Sequence, residues 1–265
     1  MEQFDAVAYI NTPRWQTVNL GLDRTRLLMK KLGNPQDRLK FVHVAGTNGK
    51  GSTCVYAAHI LQAAGYTTGM FTSPYIETFE ERIQVNGQLI SIDELTKVTL
   101  DVKERAEEVE RETGEHPTEF ELMTAVALCH FARCNCDIVV LEVGLGGRLD
   151  STNIIDAPEV CAIARIGLDH TALLGDTLAQ VAGEKAGIIK QGSAVVSYPQ
   201  DPEAAAVIAQ AAAQVGSSVV QPDFSQLSTG STALASDEDG SELIVRTFSY
   251  GEYQDLHTAL LGEYQ

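Results

Sequence analysis

Positive charge is scarce in this sequence. Among 265 residues, 19 lysines and arginines stand against 36 aspartates and glutamates, which gives a formal net charge of −17. Nucleic acids and anionic membrane surfaces repel such a chain, so neither is expected as a partner. An anionic ligand must therefore be held by local devices, namely helix N-termini, a few lysines or arginines, or divalent cations.

Cysteine is also sparse and scattered, with five residues at positions 54, 129, 134, 136 and 161. An odd number of cysteines without a signal peptide favours reduced thiols, and Cys134 and Cys136 are too close together and too isolated for a zinc site. No apolar run approaches the length of a membrane span, and the N-terminus lacks basic targeting character. These absences predict a cytoplasmic protein.

The remaining pattern predicts an α/β fold. Apolar strand-like runs alternate with helical segments, which is typical of a P-loop-type, doubly wound, mostly parallel sheet flanked by helices. Residues 137–143 and 159–166 are nearly continuous apolar runs, as in strands buried on both faces. From about residue 224 the composition changes and becomes rich in Ser, Thr, Gly and Asp, with short β-like runs. We expect an ATP-binding type of domain over 1–223 and a small antiparallel extension of the same domain over 224–265.

Local signals place several elements within this scheme. Asn86-Gly87 between alternating residues predicts a hairpin, and Ser91 with Glu94 resembles a capping box that opens a long amphipathic helix. A further helix is expected over 118–133 and another over 177–190. The run 237–240 predicts a turn, and 242–248 and 256–261 predict strands. A break is expected at Asn11-Thr-Pro13.

The stretch from Phe41 to Thr53 organises the chain. An apolar run ends at Gly46, and a helix-like segment follows from Ser52 to Ala64, so the order is strand, glycine-rich turn, helix. In such a turn the backbone N–H groups converge on an anion, and Lys50 adds a positive charge. The spacing departs from the standard phosphate loop, because Val44 stands at the first glycine position and Gly51 separates Lys50 from Ser52. A glycine-rich connection without ligand is the alternative at this point.

Other polar residues follow the carboxyl ends of predicted strands, where open α/β sheets bind ligands. They are Ser73, Glu142, the run from Gly144 to Asp150, and His170. A carboxylate inside an apolar strand is costly without a partner, so Glu142 favours function. Hydroxyl and carboxylate oxygens suit Mg²⁺, with His170 as the unusual member. Taken singly, Ser73 is a common turn residue, His170 could cap the next segment, and Lys185 reads as a solvated helix lysine.

Four motifs together resemble the folylpolyglutamate synthase and dihydrofolate synthase family within the Mur ligase superfamily. They are Ala45-Gly-Thr-Asn-Gly-Lys-Gly-Ser52; Thr72-Ser-Pro-Tyr75 with Glu80-Glu-Arg-Ile83; Glu142-Val-Gly-Leu-Gly-Gly-Arg-Leu-Asp150-Ser-Thr-Asn153; and Asp169-His170 running to Gly183-Glu-Lys-Ala-Gly-Ile-Ile-Lys190. Murein ligases typically have Gly-Lys-Thr in place of the Lys-Gly-Ser of this loop.

The resemblance implies a role for each matching position. The nucleotide-binding residues would be Gly46, Thr47, Asn48, Gly49, Lys50, Gly51 and Ser52. The Mg²⁺ ligands would be Ser73, Glu142 and His170. The catalytic residues would be Lys50, His170 and Lys185, the last matching a lysine that is carbamylated in this family. The pterin end of the substrate would lie against Gly21, Leu22, Asp23, Arg24, Thr118, Glu119, Phe120, Leu149, Asp150 and Ser151.

The implied reaction is ATP-driven amide synthesis. A folate or dihydropteroate carboxylate would attack the γ-phosphate of ATP to give an acyl phosphate, and the amine of L-glutamate would then displace phosphate. Mg²⁺ and Lys50 would stabilise the charge on the transferring group. The partners are thus small molecules, and a monomer is expected.

In one respect this sequence is expected to differ from the family that it resembles. Family members carry a further C-terminal domain, and this sequence ends about where the linker into that domain should begin, so the domain is expected to be absent. Two alternatives stay open: another Mur-type amino-acid ligase acting on a cell-wall precursor, and a non-catalytic nucleotide-binding module.

Overall fold

The apolar runs pair into one eight-stranded sheet in the order β4-β3-β2-β5-β1-β6-β7-β8. A computed structural model describes residues 4–12, 21–236, 240 and 242–259. The strands are β1 (Phe41–Ala45), β2 (Thr68–Phe71), β3 (Ile83–Val85), β4 (Gln88–Leu89), β5 (Ile138–Glu142), β6 (Val160–Ile163), β7 (Ala194–Ser197) and β8 (Val219–Val220). From β2 to β8 all neighbours are parallel, and β3 and β4 are antiparallel additions.

Helices connect these strands. They are α1 (Ala6–Ile10), α2 (Asp23–Lys31), α3 (Lys50–Ala63), α4 (Ile92–Thr113), α5 (Glu119–Arg133), α6 (Thr171–Leu174), α7 (Leu178–Ala186) and α8 (Pro202–Gln214). The doubly wound α/β fold predicted from the sequence is confirmed, and β1 lies where the connections change direction. From β1 the chain runs to β2 on one side, and from β6 it continues to β7 and β8 on the other. Ligands bind at such switch points in open α/β sheets.

The predicted hairpin turn and the predicted helix N-termini are present in the structure. Asn86 and Gly87 both have positive φ values (49° and 73°), as the tight turn between β3 and β4 requires. The Ser91 side chain accepts from the Glu94 N–H at the start of α4. Thr118 and Glu121 form a reciprocal capping box at the start of α5. Two boundaries differ from expectation: α3 begins at Lys50, before Ser52, and α7 ends at Ala186, before Lys190.

Three sets of buried residues pack on the sheet, and the smallest lies between α3 and the central strands. Leu28, Phe71, Val102 and Phe131 belong to the largest set, with α4 and α5. Ile163, Val181 and Ile208 belong to the second, with α7 and α8. The core thus holds the central strands on both faces, which fixes the positions of the loops at their carboxyl ends.

The chain divides into two compact units, residues 1–220 and 221–265. The second contains a three-stranded antiparallel sheet in the order β11-β10-β9. Its strands are β9 (Leu227–Ser236), β10 (Glu242–Tyr250) and β11 (Tyr253–Thr258). The strands expected over 242–248 and 256–261 correspond to β10 and to part of β11, whereas β9 has no clear alternation of apolar residues and escapes prediction.

Some predicted features lie outside the described residues. They are Pro13 of the expected break, residues 237–239 of the expected turn, and residues 260–261 at the end of the last expected strand. Within the described ranges, no helix is both long enough and apolar enough to span a membrane.

Candidate functional site

A cavity of about 530 Å³ lies at the carboxyl ends of the central strands. This volume is in the range of small-molecule sites. Its lining includes ten residues that the sequence predicts for the site: Gly21, Lys50, Ser73, Thr118, Glu119, Phe120, Leu149, Asp150, Ser151 and His170. The fold therefore brings together residues from four separate motifs.

The glycine-rich loop is fastened to the segment that follows β6. The Thr47 and Asn48 N–H groups donate to the Arg165 carbonyl at 2.8 and 3.2 Å. The Thr47 hydroxyl donates to the Gly167 carbonyl at 2.9 Å. A Cβ at Gly46 would lie 2.8 Å from the Cβ of Ala164, so glycine is required for this approach. Two of the loop N–H groups are thereby used within the fold.

The first turn of α3 supplies the free donors. Gly49 caps the helix with φ of 82°, a conformation that favours glycine. The first helical bond runs from Thr53 N–H to the Gly49 carbonyl at 3.0 Å, so the N–H groups of Lys50, Gly51 and Ser52 have no intrahelical partner. The Lys50 ammonium folds back onto the Thr47 carbonyl at 3.3 Å. This arrangement suits an anion such as a phosphate.

Glu142 ends β5 beside this helix start and is 3% exposed. Its Oε2 accepts from the Ser73 N–H at 3.1 Å. Burial raises the pKa of its carboxyl to about 6, while Lys50 and Arg82 oppose the rise. Gly51 lies next to this carboxylate, since a Cβ at this position would be 3.7 Å from Glu142 Oε2, an ordinary contact distance. The carboxylate thus faces the helix N-terminus closely.

The predicted magnesium ligands are brought together only in part. Ser73 and Glu142 are neighbours, whereas His170 caps α6 with φ of 47° and is exposed, its Nε2 lying 3.7 Å from Asp169 Oδ2. Across the described ranges, no group of three His, Cys, Asp or Glu residues is arranged to hold a metal. A buried carboxylate beside a serine is nevertheless a hard oxygen donor set, which fits Mg²⁺ when phosphate and water complete the shell.

Lys185 is buried rather than solvated, contrary to its helical pattern. It is 4% exposed, and its Nζ donates to the Gly46 carbonyl at 2.8 Å. Burial first, and then the charge of Lys50, lowers the pKa of its amine to about 8. The side chain therefore connects α7 to the glycine-rich loop, and near neutral pH a larger fraction of its amine is neutral than in an ordinary lysine.

The other wall of the cavity combines the start of α5 with the loop after β5. A Cβ at Gly144 would lie 2.4 Å from Phe120 Cζ, so the ring lies directly over this glycine. Gly21 also lines the wall. Of its neighbours, Leu22 is buried, Asp23 is exposed and Arg24 donates to Glu121 Oε2 at 2.7 Å. These three do not line the cavity.

Asp150 is 6% exposed and organises its own loop. Its Oδ2 accepts from the Leu145 N–H at 2.8 Å, and its Oδ1 accepts from the N–H and hydroxyl of Thr152. Because the Thr152 hydroxyl donates to this carboxylate, the Nε2–H of His43 must donate to the Thr152 oxygen, at 2.9 Å. His43 in β1 thereby supports the loop, a role that the sequence pattern does not indicate.

The sequence assigns no role to three other lining residues, Pro74, Arg82 and Met123. Arg82 and Pro74 belong to motifs that carry the family resemblance, so their place in the motif was the available signal. Met123 follows a helical core pattern and gives no such signal.

Comparisons with known proteins agree with the motifs. The family model of the Mur ligase middle domain matches residues 44–265. The dihydrofolate synthase/folylpolyglutamate synthase of Bacillus subtilis (strain 168) is 42% identical over 264 residues, covering 98% of this chain and 60% of the relative. The folylpolyglutamate synthase of Lacticaseibacillus casei is 37% identical over 276 residues, covering 100% and 61%.

Solved structures agree as well. A folylpolyglutamate synthase complex with AMPPCP superposes with a TM-score of 0.84 at 37% identity, covering 98% of this chain and 62% of that one. The Mycobacterium tuberculosis folylpolyglutamate synthase, complexed with ADP and AMPPCP, gives 0.81 at 30% identity, covering 98% and 59%. This chain therefore spans about 60% of the length of these proteins.

The buried imidazole of His43 predicts a specific acid sensitivity. Burial lowers its pKa from 6.5 to about 3, so the unfolded chain binds a proton that the native state excludes. The contribution of His43 to the free energy of unfolding is fully present above pH 6.5 and is lost as the pH falls toward 3. At pH 5 the expected loss is about 2 kcal/mol. Urea unfolding at pH 7 and pH 5 measures it.

The comparison is with His43→Gln, which retains an N–H donor and does not titrate. This variant should show a pH 7 to pH 5 difference in unfolding free energy that is about 2 kcal/mol smaller than that of the unaltered chain. The exposed His59 on α3 provides the control, since His59→Gln should leave the difference unchanged. An undiminished pH difference in His43→Gln contradicts the assignment.

Proposed function

The chain belongs to the Mur ligase family, whose middle-domain model it matches, and from this premise we propose that it forms the ATP- and acceptor-binding part of an amide ligase of the folylpolyglutamate/dihydrofolate synthase type. The ligase would join L-glutamate to the carboxylate of folate or dihydropteroate. The observation that carries the proposal is the buried Glu142 carboxylate beside the N-terminus of α3, where Lys50 lines a cavity of small-molecule size.

ATP is the proposed phosphoryl donor. The unpaired N–H groups at the start of α3 and the Lys50 ammonium provide donors for its β- and γ-phosphates. Relatives with the same fold have been solved with AMPPCP, an ATP analogue, which supports a nucleotide at this position. The glycine-rich connection without ligand is disfavoured, because three N–H groups without an intrahelical partner and the Lys50 ammonium lie at the same helix start.

Mg²⁺ fits the same place. Glu142 and Ser73 would hold it, with His170, which also lines the cavity, as a further ligand. When bound, Mg²⁺ supplies charge neutralisation during phosphoryl transfer. Phosphate oxygens and water would supply the remaining ligands, as is usual for this ion.

The acceptor is proposed to lie between the start of α5 and the loop after β5. Thr118, Phe120, Leu149 and Ser151 line this part of the cavity. A carboxylate oxygen of the acceptor attacks the γ-phosphorus, and the bond to the β–γ bridging oxygen breaks, giving an acyl phosphate and ADP. The amine of L-glutamate then attacks the acyl carbon, and phosphate leaves as the amide forms. Lys50 stabilises negative charge during the first step.

We also propose that Lys185 is carbamylated. Carbamate formation requires a neutral amine, and the lowered pKa of about 8 supports one at neutral pH. The carbamate would replace an unpaired buried cation by an anion beside Lys50 and the Gly46 loop. This exchange removes the repulsion between two lysines whose charges influence each other.

The acceptor class can be tested by titration calorimetry of the purified chain. We expect binding of dihydropteroate or tetrahydrofolate in the presence of Mg²⁺ and AMPPCP, and none of a UDP-muramyl precursor. Binding of the cell-wall precursor alone would replace this proposal by the other Mur-type ligase. Amide product from ATP, L-glutamate and the acceptor, detected by mass spectrometry, contradicts a non-catalytic nucleotide-binding module.

Lys50→Ala should weaken AMPPCP binding by about 10- to 100-fold, the usual worth of a charge-assisted contact. Lys40→Ala is the matched control, because Lys40 is 69% exposed and stands before β1, at the opposite end of the strand. Calorimetry measures both variants. Equal nucleotide affinity in Lys50→Ala and the unaltered chain would remove Lys50 from the phosphate site.

Carbamylation is accessible to ¹³C NMR. In ¹³C-bicarbonate at pH 8, a carbamate carbonyl resonance is expected from the unaltered chain and should vanish in Lys185→Met. Lys190→Met is a suitable control, since burial also lowers the pKa of Lys190 to about 8. A resonance that persists in Lys185→Met and disappears in Lys190→Met would move the modification to Lys190.

A further inference from the structure

Arg82 is a cation buried within the fold. It is 8% exposed, and its Nε is enclosed without a hydrogen-bond partner in the described part of the chain. No carboxylate of the described residues forms an ion pair with its guanidinium. An enclosed charge of this kind destabilises a fold unless something neutralises it. Its side chain lines the cavity of the proposed site.

Two aromatic rings hold the guanidinium in place. Its Cζ lies 4.9 Å from the ring centre of Tyr75 and 5.7 Å from that of Phe79. Stacking on rings occupies the faces of the planar group and leaves its N–H edge for a ligand. Such an edge matches the two oxygens of a carboxylate.

The backbone around Arg82 is equally fixed. Its carbonyl accepts from the Thr72 N–H at 3.1 Å, and the next residue, Ile83, pairs with Phe71 of β2. The Glu81 carboxylate accepts from the N–H groups of Ile76, Glu77 and Thr78 at 2.7–2.8 Å, which braces the preceding loop. The arginine is thus presented by a rigid segment next to Ser73.

Arg82 lies near carboxylates from two different elements of the site. Glu119, at the start of α5, and Glu142, at the end of β5, are both near enough for their charges to favour the guanidinium cation, although burial lowers its pKa overall. On the nucleotide side, Lys50 and the α3 N-terminus already supply donors for phosphate. The anion still lacking a cation is the acceptor carboxylate.

We propose that Arg82 binds the acceptor carboxylate that is to be activated, and holds it between the wall at Phe120 and the glycine-rich loop. This inference rests on the proposed function and adds to it the residue that recognises the reacting group. An anionic oxygen pair could also come from the γ-phosphate of ATP, so the experiment must separate carboxylate from phosphate.

Calorimetric titration with matched ligands makes this separation. The probes are dihydropteroate and folate, each compared with the neutral amide made from its carboxyl groups, and AMPPCP with Mg²⁺. The unaltered chain should prefer a carboxylate to its amide by about 10- to 100-fold. Arg82→Gln should lose that preference and bind the amide and AMPPCP as before. Arg82→Lys should recover part of the preference through its charge.

Two further variants of the chain serve as controls in this experiment. Arg82 ends the short 3₁₀ helix Phe79–Arg82, and Arg38 ends a similar one, Pro35–Arg38. Because Arg38 is exposed, Arg38→Gln should keep the full carboxylate preference. Arg82→Met removes the enclosed charge, and its urea midpoint should equal or exceed that of the unaltered chain. A lower urea midpoint, together with an equal loss of affinity for the carboxylate and for its amide, would show that Arg82 only supports the fold. That result would overturn the proposal.

The remaining outcomes are also decisive. A carboxylate preference that survives in Arg82→Gln overturns the inference alone. Weakened AMPPCP binding in that variant assigns Arg82 to phosphate and likewise overturns it. If the folded, unaltered chain binds neither the carboxylates nor their amides, the proposed function itself fails, and the inference fails with it.

Discussion

The burial of Glu142 at the end of β5 is the constraint on which the rest of the site depends. Its carboxylate has no ion pair within the described residues, yet Lys50, Lys185 and Arg82 all lie close to the same cavity and are likewise without an ion pair there. The backbone keeps these charges apart, because Lys50 bonds the Thr47 carbonyl and Lys185 the Gly46 carbonyl. A site built from separated, desolvated charges is oriented before any ligand arrives, and electrostatic catalysis requires such orientation.

The sequence predicts the sheet well, since its central strands are nearly continuous apolar runs and its helices carry capping residues. It also indicates Glu142, because a carboxylate in such a run needs a reason. Lys185 and His43 are different, because their surroundings come from distant segments: Gly46 for the lysine, Thr152 for the histidine. No local pattern encodes such contacts. Strand β9, from Leu227 to Ser236, escapes for another reason, since its pairing with β10 compensates for weak β patterning.

The family resemblance identifies site residues that hydrophobic periodicity cannot, but it identifies them only as members of sequence motifs. It points to Ser73, His170 and Lys185 together, and the fold places the first two on one cavity and the third behind its glycine-rich loop. It gives no indication of geometry. His170 is exposed beside Asp169, whereas Arg82, quoted only as part of a motif, is buried and lines the cavity. Motif membership and spatial role are therefore separate kinds of information.

The attachment of Thr47 and Asn48 to Arg165 and Gly167 has a thermodynamic consequence. A free glycine-rich loop loses much conformational entropy when a ligand orders it. Here that ordering occurs when β1 and β6 pair, so folding has already met the entropic cost and the intrinsic affinity of the loop is not reduced by a population of open states. The stability of the sheet and the affinity of the loop are in this way coupled through two backbone hydrogen bonds.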